Sequence, residues 1–268
     1  MITLVGHGYV GKYIAQELLN QKIDFRWIDH YFVKDMGLPW GTNFVINAAG
    51  FTGVPNVDAC ENAKDETIEG NVTFPLMLER VAEQFKCPVL HISSGCVYTG
   101  YVDNGWLEED APNFTFDNAS FYSASKALFQ DMWEEQYAYR SYLLRIRMPF
   151  GPDSDSKNLL SKLKKYDKLI DKVNSLSHVG EVAKCAVHFA LTRPTPGLYN
   201  AVNPTGISTK EIAGILGLNK QWMGDEEFSS ISVAPRSNCV LNTDKMQAVF
   251  KFKDVYQSLL ETVEQMDK

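Results

Sequence analysis

Tyr122-Ser-Ala-Ser-Lys126 places a phenol and an ammonium group four residues apart. On a helix, residues i and i+4 share a face, so Lys126 comes to lie beside the Tyr122 ring. A neighbouring cation favours phenolate and draws the phenol down from its ordinary pKa of ~10. A tyrosine tuned this way passes a proton to or from an oxygen while hydride moves at the attached carbon. The spacing alone is a weak signal, because a surface helix can carry both residues by chance. Its context strengthens it: upstream lie an apolar stretch ending in Ser93-Ser94 and, at the N-terminus, a glycine turn.

That turn is Gly6-His-Gly8-Tyr9-Val10-Gly11, between a short apolar run and a helical pattern. Glycines there permit a tight turn and let the backbone approach a pyrophosphate, which rests on the helix N-terminus. Asp29 follows eighteen residues after Gly11. A carboxylate at that distance accepts hydrogen bonds from an adenosine ribose and repels a 2′-phosphate, favouring NADH over NADPH. Asp29 could instead cap a loop, and Arg26 nearby could serve a 2′-phosphate. Asn47-Ala48-Ala49-Gly50 supplies small residues where a cofactor would cross the sheet edge.

The elements that must hold these residues alternate. Strands are expected at Ile2–Val5, Asp24–Ile28, Phe44–Asn47, Pro88–Ser93 and Tyr142–Met148. Helices are expected at Val10–Leu19, from Asn56–Cys60 to Glu83 with a break at Pro75, and at Phe121–Tyr139. The crossover between the second and third strands is short or lacks a full helix. Strand–helix alternation with apolar strands implies an α/β, Rossmann-like doubly wound parallel sheet covered on both faces. After Pro149-Phe150-Gly151 the texture becomes Lys-rich with Pro and Gly turns. Residues 1–150 are therefore assigned to dinucleotide binding and 151–268 to a smaller C-terminal substrate lobe, part of which returns to the sheet.

At 268 residues and 45% hydrophobic content, the chain can bury a large core. A net charge of −7 argues against a nucleic-acid or membrane-surface partner, both of which need a cationic face. Five scattered cysteines without C-x-x-C spacing suit a reducing compartment and no structural zinc, and no signal peptide or spanning segment is evident. A cytoplasmic protein is expected, with a small-molecule partner and a homodimer left open as its assembly.

Ser94, Tyr122 and Lys126 on such a sheet resemble the catalytic trio of extended short-chain dehydrogenases/reductases. Asn47–Gly50, His91-Ile-Ser-Ser94, Phe121–Lys126 and Arg145 before Gly151 look like the dTDP-4-dehydrorhamnose reductase branch. Thr52-Gly-Val-Pro-Asn-Val-Asp58, Ser94-Gly-Cys96, Pro112-Asn-Phe-Thr115, Arg145-Ile-Arg-Met-Pro149 and Ala234-Pro-Arg-Ser-Asn238 are closer still to the bifunctional 3,5-epimerase/4-reductases of UDP-rhamnose synthesis. Five local matches in the same order are far more specific than the Tyr/Lys pair.

The resemblance implies NAD(P)H as cofactor and a nucleotide-linked 4-keto-6-deoxy sugar as substrate. Ser94, helped by Ser93, would hold the C4 oxygen, Tyr122 would protonate it, and Lys126 would hold the cofactor ribose. Cys96 and Lys162, the latter in an N-x-x-x-K string begun by Asn158, would move protons at C3 and C5. Such protons are acidic because the enolate is stabilised at the carbonyl oxygen, and a thiolate near lysines can take them. The plain alternatives are a structural thiol at Cys96 and a solvated charge run around Lys162. Lys162, Lys164, Lys165, Arg147 and Arg236 offer charge for a diphosphate, and Arg236 is favoured as a bidentate fork. Asn203-Pro-Thr-Gly-Ile-Ser208 with Glu211 resembles another family segment or is simply a capped helix start. Reduction alone, or a non-catalytic regulatory subunit on the same fold, are competing expectations. The glycine loop departs from the family's G-x-x-G-x-x-G, which bears on the choice between NADH and NADPH.

Overall fold

A computed structural model describes residues 1–54 and 56–266. Pro55, within the Thr52–Asp58 string, and the last two residues of the expected substrate lobe lie outside them.

Five strands, β1 (Ile2–Val5), β2 (Phe25–Ile28), β3 (Phe44–Asn47), β4 (Val89–Ser94) and β5 (Tyr142–Ile146), join the Gly197–Asn200 strand in one parallel sheet. From one edge to the other the order is Gly197–Asn200, β5, β4, β3, β1, β2. Leu4, Ile46, Leu90 and Leu144 enter one core face, and Val5, Val45, Val89 and Leu143 the other. With both faces buried, the strands read as continuous apolar runs, not as alternating ones. Helix α1 (Tyr9–Asn20) and the Val179–Thr192 helix cover the first face.

The order reverses between β1 and β3, where the chain, having gone one way to β2, returns to the other side. At such a switch point the strand ends open into a crevice, the general place for a ligand in this architecture. The short crossover is filled by α2 (His30–Met36), only two turns long, so β3 pairs directly with β1.

The expected break at Pro75 is absent. Helix α3 (Lys64–Ile68) passes through a wider π-helical segment, Glu69–Thr73, directly into α4 (Phe74–Gln84). Proline lacks an N–H and crowds the carbonyl four residues back, and a π turn just before it loosens that contact. The helix therefore continues where the sequence pattern implied an end.

From Phe150 onward, a second core gathers Phe150, Leu160, Leu163, Ile207, Ile212 and Leu259. Among the described residues no helix is long and apolar enough to cross a membrane, and no three His, Cys, Asp or Glu side chains gather to hold a metal ion. All five cysteines are free.

Candidate active site

The site is built at the C-terminal ends of β1, β3 and β4. Gly6 has φ +102°, and a Cβ there would meet the Ala49 nitrogen at 2.6 Å and the Ala48 carbonyl carbon at 2.8 Å. The glycine turn thus packs backbone-to-backbone on Asn47–Gly50. A Cβ on Gly8 would meet nothing within 4 Å, leaving open the side on which a pyrophosphate would rest. Gly8 also starts α1 without a side-chain cap, so first-turn amides stay available to an anion. Trp27 donates from its indole Nε1 to the Gly6 carbonyl at 2.9 Å, fixing the loop from β2.

Tyr9 and Val10 contribute here through their backbone. The Tyr9 side chain turns beneath the loop, donating to Asp153 Oδ2 at 3.1 Å, and Tyr13 donates to the same oxygen. Asp29 is exposed and caps α2, accepting from the Phe32 N–H at 2.8 Å. Arg26 pairs level with Thr3, two residues short of the rim where Ile28 meets Val5.

Asn47 is held by a buried chain. Its Nδ2 lies 3.0 Å from His91 Nδ1, and His91 Nε2 lies 3.1 Å from Glu79, which also accepts from Trp133 and Ser141. Asn71, in the π segment, accepts from the Phe51 N–H and donates to the Phe51 carbonyl and to Ser125 Oγ. It ties the turn after Gly50 to α5 (Phe121–Tyr137).

Ser120 caps α5 by accepting from the Ser123 N–H, which puts Tyr122 in the first turn and Lys126 one turn on. The surface-helix alternative fails, because Lys126 is only 7% exposed. Its Nζ lies 6.0 Å from the Tyr122 ring centroid and would stand 3.4 Å from a Cβ on Gly50. Burial pushes Lys126 down to about 8. The expected lowering of Tyr122 by Lys126 is not what the surroundings produce. Burial raises the phenol, with the Cys96 sulfur adding to the rise, while the hydrogen bond to Ser94 and the Arg147 charge oppose it. Ser94 Oγ accepts from the Cys96 N–H at 3.1 Å, and Ser93 Oγ is buried without a partner among the described residues.

Cys96 is half-buried and accepts a hydrogen bond from Arg147 Nη1 at 3.1 Å. Lys162 lies on the Leu159–Lys165 helix, also half-buried; burial, then the charges of Lys157 and Arg236, lower it. Cys96 acts electrostatically on Tyr122, Lys126 and Lys162 alike, so the fold brings these four groups together.

Three expectations change. Asn158, assigned to substrate, is fully buried and spends both ends on the chain: Nδ2 donates to the Gly151 and Asp153 carbonyls at 2.7 Å, and Oδ1 accepts from Leu160 N–H. It shapes the loop that presents Lys162. Arg147, assigned to a diphosphate, is buried on Cys96, Asn174 and the Ser237 carbonyl. Arg236 Nη2 pairs with Asp58 at 2.6 Å, and Arg236 also borders a 340 Å³ apolar cavity lined by Leu163, Leu169, Ile212 and Phe228. Ser208 and Glu211 form a capping box, the plainer of the two expectations for that segment. Lys157, which nothing in its spacing singled out, donates to Thr52 Oγ1 at 2.9 Å and the Gly53 carbonyl at 2.8 Å, joining the later segment to the loop after β3.

The family model described as RmlD substrate binding domain matches residues 20–263. The chain is 33% identical over 239 residues to a bifunctional dTDP-4-dehydrorhamnose 3,5-epimerase/dTDP-4-dehydrorhamnose reductase of Arabidopsis thaliana, covering 84% of this chain and 77% of that protein. It is 33% identical over 220 residues to an Arabidopsis trifunctional UDP-glucose 4,6-dehydratase/UDP-4-keto-6-deoxy-D-glucose 3,5-epimerase/UDP-4-keto-L-rhamnose-reductase, covering 77% of this chain and 32% of that longer protein. In fold it is similar to the L780 UDP-rhamnose synthase of Acanthamoeba polyphaga mimivirus, with a TM-score of 0.88, 23% identity and 99% of each chain covered.

Proposed function

We infer, for a chain that belongs to the RmlD substrate binding domain family, that it is an NAD(P)H-dependent ketoreductase of a nucleotide-linked 4-keto-6-deoxy sugar. In this reading it also epimerises C3 and C5 before reduction. The observation that carries it is that Cys96, whose N–H donates to Ser94 Oγ, lies within electrostatic reach of Tyr122, Lys126 and Lys162.

A bound nicotinamide would supply the hydride that C4 receives. Gly6, Gly8 and Gly11, with the backbone of Tyr9 and Val10, would cradle its pyrophosphate. Lys126 beside Gly50 would hold its ribose. Ser94, with the free hydroxyl of Ser93, stabilises negative charge growing on the C4 oxygen. Tyr122, held protonated by its surroundings, gives that oxygen its proton. For epimerisation, Cys96 takes a proton beside the ketone while the same oxygen contacts hold the enolate, and Lys162 returns one. Residues 1–150 serve the cofactor and 151–268 the sugar nucleotide, whose base fits the apolar cavity with Arg236 toward the diphosphate. With Asp29 at the rim and Arg26 short of it, NADH is used at least as well as NADPH. Five free cysteines support a cytoplasmic setting.

The test is to incubate the protein with UDP- and dTDP-4-keto-6-deoxyglucose, with NADH or NADPH, and to follow nicotinamide absorbance and product sugar. In D₂O without reduced cofactor, deuterium should enter at C3 and C5, and Cys96→Ser should suppress it. Reduction without exchange leaves a simple 4-reductase. Neither activity with either sugar overturns the reading.

A further inference from the structure

Arg147 is only 1% exposed, and among the described residues no carboxylate pairs with it. Its Nη2 donates to Asn174 Oδ1 and, at 2.6 Å, to the Ser237 carbonyl, both neutral acceptors; its Nε has no partner. A guanidinium cannot shed its charge, and burying it against neutral acceptors alone is costly. The remaining contact is Nη1 on Cys96 Sγ at 3.1 Å. A thiol sulfur is a weak acceptor, whereas a thiolate is an anion and a strong one.

Of the two sulfurs beside the guanidinium, only Cys96 faces the site. Cys239 also lies close to Arg147, but it is fully buried and its thiol donates to the Gly95 carbonyl at 3.5 Å. Burial raises Cys239, while Cys96 is half-open to the site. The sequence makes room for the pair: a Cβ on Gly95 would stand 3.6 Å from Arg147 Cδ and 2.6 Å from Leu241 Cδ1. The guanidinium is fixed from behind as well, because the Arg147 N–H donates to Ser177 Oγ at 2.9 Å. The other titratable groups facing Cys96 are Tyr122 and Lys126 from α5 and Lys162 from the Leu159–Lys165 helix.

We propose that Arg147 is the positioning residue of the epimerase half: a buried fixed charge that holds Cys96 as a thiolate aimed into the site. This rests on the reading of Cys96 as the base. In the step it supports, the C–H bond beside the ketone breaks and its proton goes to Cys96 Sγ. The electron pair moves to the carbonyl oxygen as enolate. The Lys162 ammonium then delivers a proton to the opposite face of the carbon. Solvent resets the thiol and the amine, so no net charge or hydrogen is lost. While Cys96 is anionic, Arg147 neutralises it, and the pair enters the low-dielectric site as a neutral unit.

The test is alkylation of Cys96 by iodoacetamide, read by mass spectrometry across pH in wild type, Arg147→Lys and Arg147→Met, with circular dichroism to check folding. The other four cysteines are buried, so Cys96 reacts first. Wild type should alkylate readily at neutral pH, Arg147→Met at least ~tenfold more slowly with its profile displaced to higher pH, and Arg147→Lys in between. Where Arg147→Met does not fold, thiolate absorbance of wild type minus Cys96→Ser at neutral pH carries the test alone. A wild-type Cys96 that alkylates as an ordinary thiol, or equal slowing in both variants with no shift in profile, overturns the proposal. The D₂O experiment separates it from the reading beneath. Thiolate under Arg147 with no deuterium at C3 or C5 keeps the pairing and removes the epimerase. Deuterium exchange with an ordinary thiol does the reverse.

Discussion

The proton that completes a reduction must come from a group that still holds it at working pH. Burial and the neighbouring Cys96 sulfur keep Tyr122 in that state, with its pKa raised, while burial brings Lys126 down to about 8. The two shifts give the pH dependence its sign. As pH rises through about 8, Lys126 loses its charge and its hold on an anionic cofactor, while Tyr122 keeps its proton. The kcat/KM for 4-keto reduction should therefore fall above that pH, and Lys126→Met should lower activity and flatten the fall. Tyr122→Phe, which keeps the ring but removes the donor, should cost ~10²-fold in turnover with cofactor affinity little changed. Stopped-flow reduction across pH checks both, and near-normal turnover in Tyr122→Phe would remove this tyrosine from the chemistry. Residue types and spacing named Ser94, Tyr122 and Lys126 as candidates, and the family resemblance added Cys96 and Lys162. They could not foretell that the cation beside Cys96 is Arg147, fifty-one positions away, or that Arg236 meets Asp58 across 178. Such partners are chosen by the sheet and leave no periodic trace.

Among the elements, the glycine turn is the most constrained, because β1 and β3 end against each other through it. Gly6 needs both φ +102° and the absence of a Cβ, whose nearest neighbours would be backbone atoms of Ala48 and Ala49. Backbone cannot swing aside as a flexible side chain can. Gly6→Ala should cost on the order of 1–3 kcal/mol in strain and lower dinucleotide affinity at least as much. Thermal melting and cofactor titration by fluorescence would measure the two, and unchanged affinity would mean the turn does not carry the pyrophosphate. The strand limits of β1 and β3 were legible to the residue, since an apolar run between turn signals admits little else. The Pro75 break was misread because proline's local rule assumes an α-helix on both sides. The π segment beside it alters that geometry and also places Asn71 where it clamps Phe51 to α5.

In the whole molecule, the two stretches on either side of Gly151 are folded into each other. The Val179–Thr192 helix supplies Val182, Ala186 and Phe189 to the core beneath α1, and the Gly197–Asn200 strand pairs with β5. Residues 1–150 alone would leave that face bare and β5 as an open edge carrying the buried Arg145. The isolated fragment should therefore show no cooperative melt and should bind a hydrophobic dye. A sharp transition in calorimetry would show that the first 150 residues fold unaided. Sequence texture changes near Gly151, but a change of texture marks composition, and composition does not say which core an apolar helix will join.

That last strand also imposes an order on the protein's birth. A chain made from its N-terminus exposes the glycine turn, Cys96, Tyr122, Lys126, Arg145 and Arg147 long before residues 197–200 are polymerised. Asn174, Asn200 and Ser237, which accept hydrogen bonds from the two arginines, also lie downstream of both, and Ser237 comes last. Until then the growing polypeptide carries a half-covered sheet and two cations with nowhere to be buried, the condition in which nascent chains depend on chaperones. Cys96 is therefore translated well before Ser237 completes the enclosure of Arg147, so the pairing of sulfur and guanidinium is fixed only when the chain is nearly finished.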